Sequence, residues 1–138
     1  MVVPEKIVAL KWLTVIVGVY GVIWIGLEGA MWHVILLAIG LILISVLYLF
    51  QRILGGRELT SRRWLILCGG LGLVSGLTCV LLSLALMAIK TGLHGHGPEF
   101  TSADIEWVIG QAPLWTLAGL LAGLGAGILA MASQRPQR

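Results

Sequence analysis

Four long apolar stretches, each bounded by charged residues, constrain this chain more than any other feature of its sequence. A helix needs about 20 mostly apolar residues to cross a hydrocarbon layer of about 30 Å. We predict spans over residues 7–27, 31–50, 65–89 and 108–132. These spans use most of the 138 residues. The pattern therefore predicts a single four-helix transmembrane domain and leaves no room for a soluble one.

Composition excludes the common soluble classes of protein. Charged residues make up 11% of the chain, against about 25% in a typical soluble domain. The mean hydropathy is +1.03, so polar residues elsewhere do not offset the apolar excess. A soluble globular domain, a disordered tail and a nucleic-acid-binding module are all excluded. We expect an all-α integral membrane protein that contacts membrane lipid and has no nucleic-acid partner.

Two alternatives to four retained helices can be weighed from the sequence. Strands of an outer-membrane barrel would alternate apolar and polar residues, and the run LLAIGLILISVLYLF does not. The first stretch could also be a cleavable signal peptide, because Lys6 and Lys11 precede it and residues 26–30 include small side chains. Cleavage would cut a tight hairpin, since the second span begins almost at once. We expect the first stretch to remain as a helix.

The basic residues predict the orientation of the chain in the membrane. Cytoplasmic loops carry the excess of Lys and Arg, and an even number of spans places both termini and the central loop on one side. That side holds eight of the nine basic residues, namely Lys6, Lys11, Arg52, Arg57, Arg62, Arg63, Arg135 and Arg138. Lys90 alone lies on the other side. We predict an up-down-up-down bundle with cytoplasmic termini, in a bacterial inner (plasma) membrane or a thylakoid or organellar inner membrane.

Small residues are concentrated on one face of three of the four spans. Helices in lipid approach closely where small side chains meet. The glycines predicted to pack are Gly18 and Gly21 in the first span, Gly72 and Gly76 in the third, and Gly119, Gly123 and Gly127 in the fourth. We expect the third and fourth spans to pack face to face in a core with the first, and the second span to lie at the periphery. An interface with another chain is the alternative role for these faces.

Pro113 allows two forms of the fourth span. Thr101 followed by Asp104 resembles a capping box, which predicts a helix beginning near residue 102. Either a short interfacial helix over 102–111 ends near Gly110 and the membrane helix begins at Pro113, or one long helix carries a proline kink. We favour the first form, because Pro113 to Met131 is long enough to span.

The spans hold few groups that could carry chemistry. No ionisable residue is predicted at mid-depth, where such groups usually mark a mechanism. Cys68 and Cys79 lie about 16 Å apart along one helix face, too far for a disulfide. No CxxC motif and no nucleophile–base–acid set is present. We expect a protein that is not an enzyme and has no cofactor.

Polar residues are concentrated on the predicted outer side. Imidazoles and carboxylates suit zinc, nickel or copper, so a metal site can be drawn from His33, His94, His96 and Glu28. Their spacing matches no zinc motif. A plain solvated loop and a pH-sensitive loop are the alternatives. The arginines of the central loop are topology determinants, with docking of lipid headgroups or of a partner as the alternative role.

These observations predict a function based on contacts between helices. We expect an accessory subunit or assembly factor of a larger membrane complex, with other membrane-protein subunits as partners. The alternative is a small-solute or metal-ion transporter or channel that uses the outer histidines and carboxylates as its entry. A redox protein or an enzyme is disfavoured, because the sequence has no CxxC motif and no nucleophile–base–acid set.

Overall fold

The computed structural model describes residues 3, 6–27, 29–93 and 99–133. In these residues the chain forms five α-helices and no β-strand. The helices are α1 (Val8–Gly26), α2 (Met31–Leu54), α3 (Ser61–Leu93), α4 (Ser102–Gly110) and α5 (Ala112–Ser133). Four of them, α1, α2, α3 and α5, are long and apolar enough to cross a membrane. The prediction of four helices that are long and apolar enough to span a membrane is therefore confirmed.

The longest helix extends beyond its predicted span at both ends. α3 contains 33 residues and is about 50 Å long at 1.5 Å per residue. It begins at Ser61, before the exposed Arg62 and Arg63, and it ends at Leu93, beyond Lys90. Charged residues end an apolar stretch but do not end a helix, so α3 is longer than its apolar part.

The region around Pro113 takes the first of the two predicted forms. The Thr101 side chain accepts a bond from the Asp104 backbone N–H at 3.2 Å, and Asp104 Oδ2 accepts from the Thr101 backbone N–H at 2.8 Å. The Thr101 backbone N–H and hydroxyl both donate to Asp104 Oδ2, and these two bonds hold the pKa of the Asp104 carboxyl below its usual range. α4 ends at Gly110 and α5 begins at Ala112. Pro113 then lies in the first turn of α5, where no intrahelical donor is needed.

The order of packing differs from the prediction. α2 contacts α1 on one side and α3 on the other, and α3 makes its most extensive contact with α5. Val34 and Ala38 of α2 are fully buried. The prediction that α2 lies at the periphery is wrong. The short connection from α1 to α2 keeps these helices adjacent, and larger side chains of α2 fill the space that small residues would leave.

One end of the molecule joins the N-terminal residues to the connection between α2 and α3. Val3 donates to the Arg57 carbonyl at 3.1 Å, and Gly56 donates to the Val3 carbonyl at 3.0 Å. Gly56 has a φ of 74°, a conformation that favours glycine. The Ile7 backbone N–H donates to the Gln51 side chain at 3.0 Å. Because the basic loop residues lie here, we call this the basic end and the opposite end, with α4, the acidic end.

Candidate functional site

A buried lysine organises the acidic end. Lys90, near the end of α3, is 1% exposed. Its Nζ donates to the Trp24 carbonyl at 2.8 Å and to the Leu27 carbonyl. It also lies 3.9 Å from Glu99 Oε2 and 4.8 Å from the centre of the Trp24 ring. Two carbonyls, a carboxylate and an aromatic face therefore surround the ammonium group.

The direction of helical side chains explains how Lys90 reaches this position. Cα–Cβ bonds in a helix tilt toward its N-terminus, so Lys90 points back from the end of α3 toward the bundle. Trp24 and Leu27 lie at the C-terminal end of α1, where carbonyls lack partners within the helix and the helix dipole is negative. A cation at this place stabilises the end of α1.

Glu99 completes this arrangement from the other side of the turn between α1 and α2. A Cβ at Gly29 would lie 2.5 Å from Glu99 Oε2 and 2.9 Å from Glu99 Cβ. Only glycine allows so close an approach. The turn is therefore held between Lys90 and Glu99. We call Trp24, Leu27, Gly29, Lys90 and Glu99 the Lys90 cluster.

Three more ring-bearing residues, Tyr20, Trp32 and His33, lie next to this turn. The His33 and Trp32 rings have centroids 3.8 Å apart, and the Tyr20 hydroxyl donates to the His33 carbonyl at 3.2 Å. His33 Nδ1 and Trp24 Nε1 are buried and make no hydrogen bond within the described chain. Polar nitrogens buried in this way cost stability.

The predicted metal set can be placed only in part. His33 lies at the start of α2, beside the turn, whereas Glu28, His94 and His96 lie outside the described residues. The described residues contain no group of three His, Cys, Asp or Glu side chains able to hold a metal. The metal site therefore stays a prediction.

The Lys90 cluster was not predicted from the sequence, although one signal was present. Lys90 is the single basic residue on the predicted outer side, so it could not be explained as a topology determinant. Ionisable residues near apolar spans are usually paired. Neither Trp24 nor Glu99 could be assigned as its neighbour, because those contacts depend on how three helix ends meet.

α3 and α5 are in contact backbone to backbone. A Cβ at Gly72 would lie 2.2 Å from the Gly119 carbonyl oxygen, and one at Gly119 would lie 2.2 Å from the Gly72 oxygen. A Cβ at Gly76 would lie 2.1 Å from the Trp115 carbonyl oxygen, and one at Gly123 would lie 2.2 Å from the Cys68 carbonyl oxygen. Residues later in α3 meet residues earlier in α5, so the two helices are antiparallel.

The same contact continues to the basic end of the pair. Gly127 faces the Cys68 side chain, where an added Cβ would lie 3.1 Å from Cys68 Cβ. Trp64 Nε1 donates to the Gly127 carbonyl at 2.9 Å, and its ring meets Phe50 of α2 edge to face at 5.2 Å. Cys68 and Cys79 are free thiols, and Cys79 is buried.

The two glycines of α1 are placed differently from those of α3 and α5. A Cβ at Gly21 would make ordinary contact with Leu37 at 3.7 Å. One at Gly18 would meet no atom within 4 Å, so Gly18 does not pack against another helix among the described residues. The close contact between α1 and α2 is instead made by Gly40, where an added Cβ would lie 2.7 Å from Val17 Cγ2.

A small cavity lies where α2, α3, α4 and α5 meet. Its volume is about 10 Å³, which is room for about one water. The lining residues are Ile35, Cys79, Val80, Ser83, Trp107, Val108 and Trp115. This cavity is too small for a hydrated ion or a small solute.

Four apolar helices of spanning length indicate a multi-pass membrane protein. Comparison with known proteins adds no closer assignment, because no family model, no curated protein and no solved structure matches the chain.

Proposed function

We propose that this chain is a non-enzymatic accessory subunit or assembly factor that acts through contacts between helices in the membrane. The observation that carries the proposal is the position of α1. Its main contact is with α2, and Val17 and Trp24 are its buried residues. Most of the α1 surface is therefore available to another chain.

The exposed face of α1 suits a transmembrane helix of a partner subunit. Thr14 is exposed and donates its hydroxyl to the Leu10 carbonyl, so this hydroxyl is satisfied within α1. Gly18 has open space beside it. A small residue with open space lets a neighbouring backbone approach closely.

The basic end is proposed to face the cytoplasm. This orientation rests on the eight-to-one division of basic residues. The hydrogen bonds of Val3 and Ile7 support the grouping of these basic residues at one end, because they hold the N-terminal residues beside the connection between α2 and α3. An up-down-up-down order of the four spans, with both termini on this side, follows from the same proposal.

Extraction in a mild detergent followed by native mass measurement tests the subunit role. We expect the chain to leave the membrane in a stoichiometric complex with a different membrane protein. Gly18→Leu fills the open face of α1 and should release that partner. Gly125→Leu is the matched control, because a Cβ at Gly125 also meets no described atom within 4 Å. A chain that is extracted without a different subunit, or a complex indifferent to Gly18→Leu, contradicts the proposal.

Labelling with an impermeant thiol reagent tests the orientation. Glu58 is exposed in the connection between α2 and α3, so Glu58→Cys should be labelled only after the membrane is opened. Glu106→Cys, on the exposed surface of α4, should react in intact cells. The reverse result would invert the topology.

The transport alternative has its own test. Replacing His94 and His96 with Ala should abolish metal binding or uptake if these residues form an entry. The small apolar cavity between α2, α3, α4 and α5 gives this alternative no support.

A further inference from the structure

Two exposed basic side chains end the apolar stretches of α1 and α2 at the basic end. After Lys11, α1 carries no Lys, Arg, Asp or Glu, and α2 carries none before Arg52. Lys11 and Arg52 are both exposed. Basic residues at such positions lie where hydrocarbon gives way to lipid headgroups. A ligand of these two side chains can therefore come from the lipid itself.

Contacts between α1 and α2 place Lys11 beside the last turns of α2. They bring Ile7 to Gln51, Val17 to Gly40 and Gly21 to Leu37. Residue numbers rise along α1 as they fall along α2, so the helices are antiparallel and Lys11 lies level with Tyr48. At about 100° per residue, counted from these contacts, Lys11 and Tyr48 turn to the same side of the two helices.

The side chains of Lys11 and Arg52 reach toward each other's level. Cα–Cβ bonds tilt toward the N-terminus of a helix, so Lys11 points toward the basic end and Arg52 points back along α2. Arg52 Nη1 donates to the Tyr48 hydroxyl at 3.0 Å, and the guanidinium lies 6.0 Å from the centre of the Tyr48 ring. Long basic side chains at the end of a span usually extend away from the hydrocarbon. Tyr48 instead holds Arg52 at the level that Lys11 reaches.

The positive charge of this region is not balanced within the described chain. No described carboxylate forms an ion pair with Lys11 or Arg52. Glu58 is the one described acidic residue at the basic end. Four more described basic residues lie at this end, namely Lys6, Arg57, Arg62 and Arg63. The charge at the ends of α1 and α2 therefore suits an anion.

We propose that Lys11, Tyr48 and Arg52 bind the phosphate of one anionic phospholipid, between α1 and α2. Ammonium and guanidinium groups form charge-assisted bonds with phosphate oxygens, and basic pockets between transmembrane helices suit anionic headgroups. The Tyr48 oxygen accepts from Arg52, so its own O–H can donate to the phosphate. We call Lys11, Tyr48 and Arg52 the phosphate site.

The surface next to the phosphate site suits the acyl chains of the same lipid. Ser45 and Leu41 lie three and seven residues before Tyr48 and are exposed on its side of α2. The Ser45 hydroxyl donates to the Leu41 carbonyl at 2.8 Å, so it presents no free donor to a lipid tail. A phospholipid can use both the cations and this apolar surface, whereas free phosphate can use only the cations.

Native mass measurement of the full chain, extracted with whatever subunits it carries, tests the proposal. Phosphatidylglycerol and phosphatidylcholine with the same acyl chains are the probes. We expect the chain to retain phosphatidylglycerol at least about ten-fold better. Lys11→Gln and Arg52→Gln should each lower that retention about five-fold. Arg62→Gln is the matched control, because Arg62 is an exposed cation of the same end on another helix. Equal retention of the two lipids, or the same result for Arg62→Gln as for the two site variants, overturns the proposal.

A second measurement in liposomes separates a bound lipid from a bound free anion. The fraction of spin-labelled phosphatidylglycerol that the protein immobilises should fall about two-fold with Tyr48→Phe, which removes the hydroxyl that holds Arg52. Tyr20→Phe, at the acidic end, should leave that fraction unchanged. Excess inorganic phosphate should release no more lipid than chloride at the same ionic strength. An unchanged fraction with Tyr48→Phe, or release by phosphate alone, contradicts the proposal.

The phosphate site and the proposed partner contact can fail independently. Gly18 lies seven residues beyond Lys11, about 10 Å further along α1. Gly18→Leu should therefore leave the retention of phosphatidylglycerol unchanged, and loss of the lipid with this variant would contradict the position of the phosphate site.

Discussion

Two pairs of neighbouring helices in this molecule are held together in different ways. α3 and α5 meet through their backbones, with Gly72 and Gly119 facing each other's carbonyls. α1 and α2 meet through side chains, with Gly40 against the Val17 side chain. A carbonyl oxygen in a helix cannot move without shifting the helix, whereas a side chain can change its rotamer. The α3–α5 pair should therefore tolerate added side-chain volume less well than the α1–α2 pair.

α1 is held more firmly at its ends than along its length. At the basic end Ile7 donates to Gln51, and at the acidic end Lys90 binds the carbonyls of Trp24 and Leu27. The polar contacts at the two ends fix the position of α1 against α2 and α3. The α3–α5 pair relies instead on a continuous contact along both helices.

The largest effect is expected for Lys90→Met. This change removes the cation from the end of α1 and leaves the buried Glu99 carboxylate without its ammonium neighbour. Breaking a buried pair on one side costs about 3–5 kcal/mol. The free energy of unfolding in detergent micelles should fall by that amount. The double variant Lys90→Met with Glu99→Gln should recover part of the lost free energy. An unchanged free energy of unfolding for Lys90→Met would show that the polar contacts at its end do not stabilise α1.

Gly72→Ala should break the tighter pair. The new Cβ would lie 2.2 Å from the Gly119 carbonyl oxygen, so α3 and α5 must move apart. Overpacking of this kind costs about 1–3 kcal/mol. The matched control is Gly70→Ala, two residues earlier, where a Cβ meets no described atom within 4 Å. Equal stability of the two variants, measured by the same unfolding assay, would contradict the backbone contact.

Gly40→Ala tests the other pair, α1 and α2, in the same way. Its Cβ would meet Val17 Cγ2 at 2.7 Å, and a change of the Val17 rotamer can relieve that contact. Alanine is also the better helix former, by about 1 kcal/mol. We expect a change in unfolding free energy within about 1 kcal/mol. A loss as large as that of Gly72→Ala would show that the two pairs are equally rigid.

The smallest effect is expected outside both pairs, at the start of α4. The hydrogen bonds from Thr101 that lower the pKa of Asp104 act only on the ionised carboxylate. Their contribution is present at neutral pH and is lost as the pH falls below the usual Asp range through the lowered pKa. Thr101→Ala should raise the pKa of Asp104 toward its ordinary value, as measured by NMR titration. Amide exchange should increase in α4, while α3 and α5 stay protected.

The apolar spans and the glycine contact between α3 and α5 could be predicted from the sequence, because both follow from the pattern of neighbouring residues. Apolar stretches report how much of each helix is in lipid, and the spacing of Gly119 and Gly123 reports which face can approach another helix. The position of α2 was predicted wrongly for a related reason. α2 has few small residues, but a single one, Gly40, is enough to bring α1 and α2 together.

The sequence by itself determined the class of the protein, the number of apolar helices, the break before Pro113 and the division of charge between the two ends. These features depend on composition and on neighbours within a few residues. The tertiary structure alone decided that α2 lies between α1 and α3 and that Lys90 binds the end of α1. Contacts between helix ends depend on their relative height and rotation, which residues far apart in the chain set together.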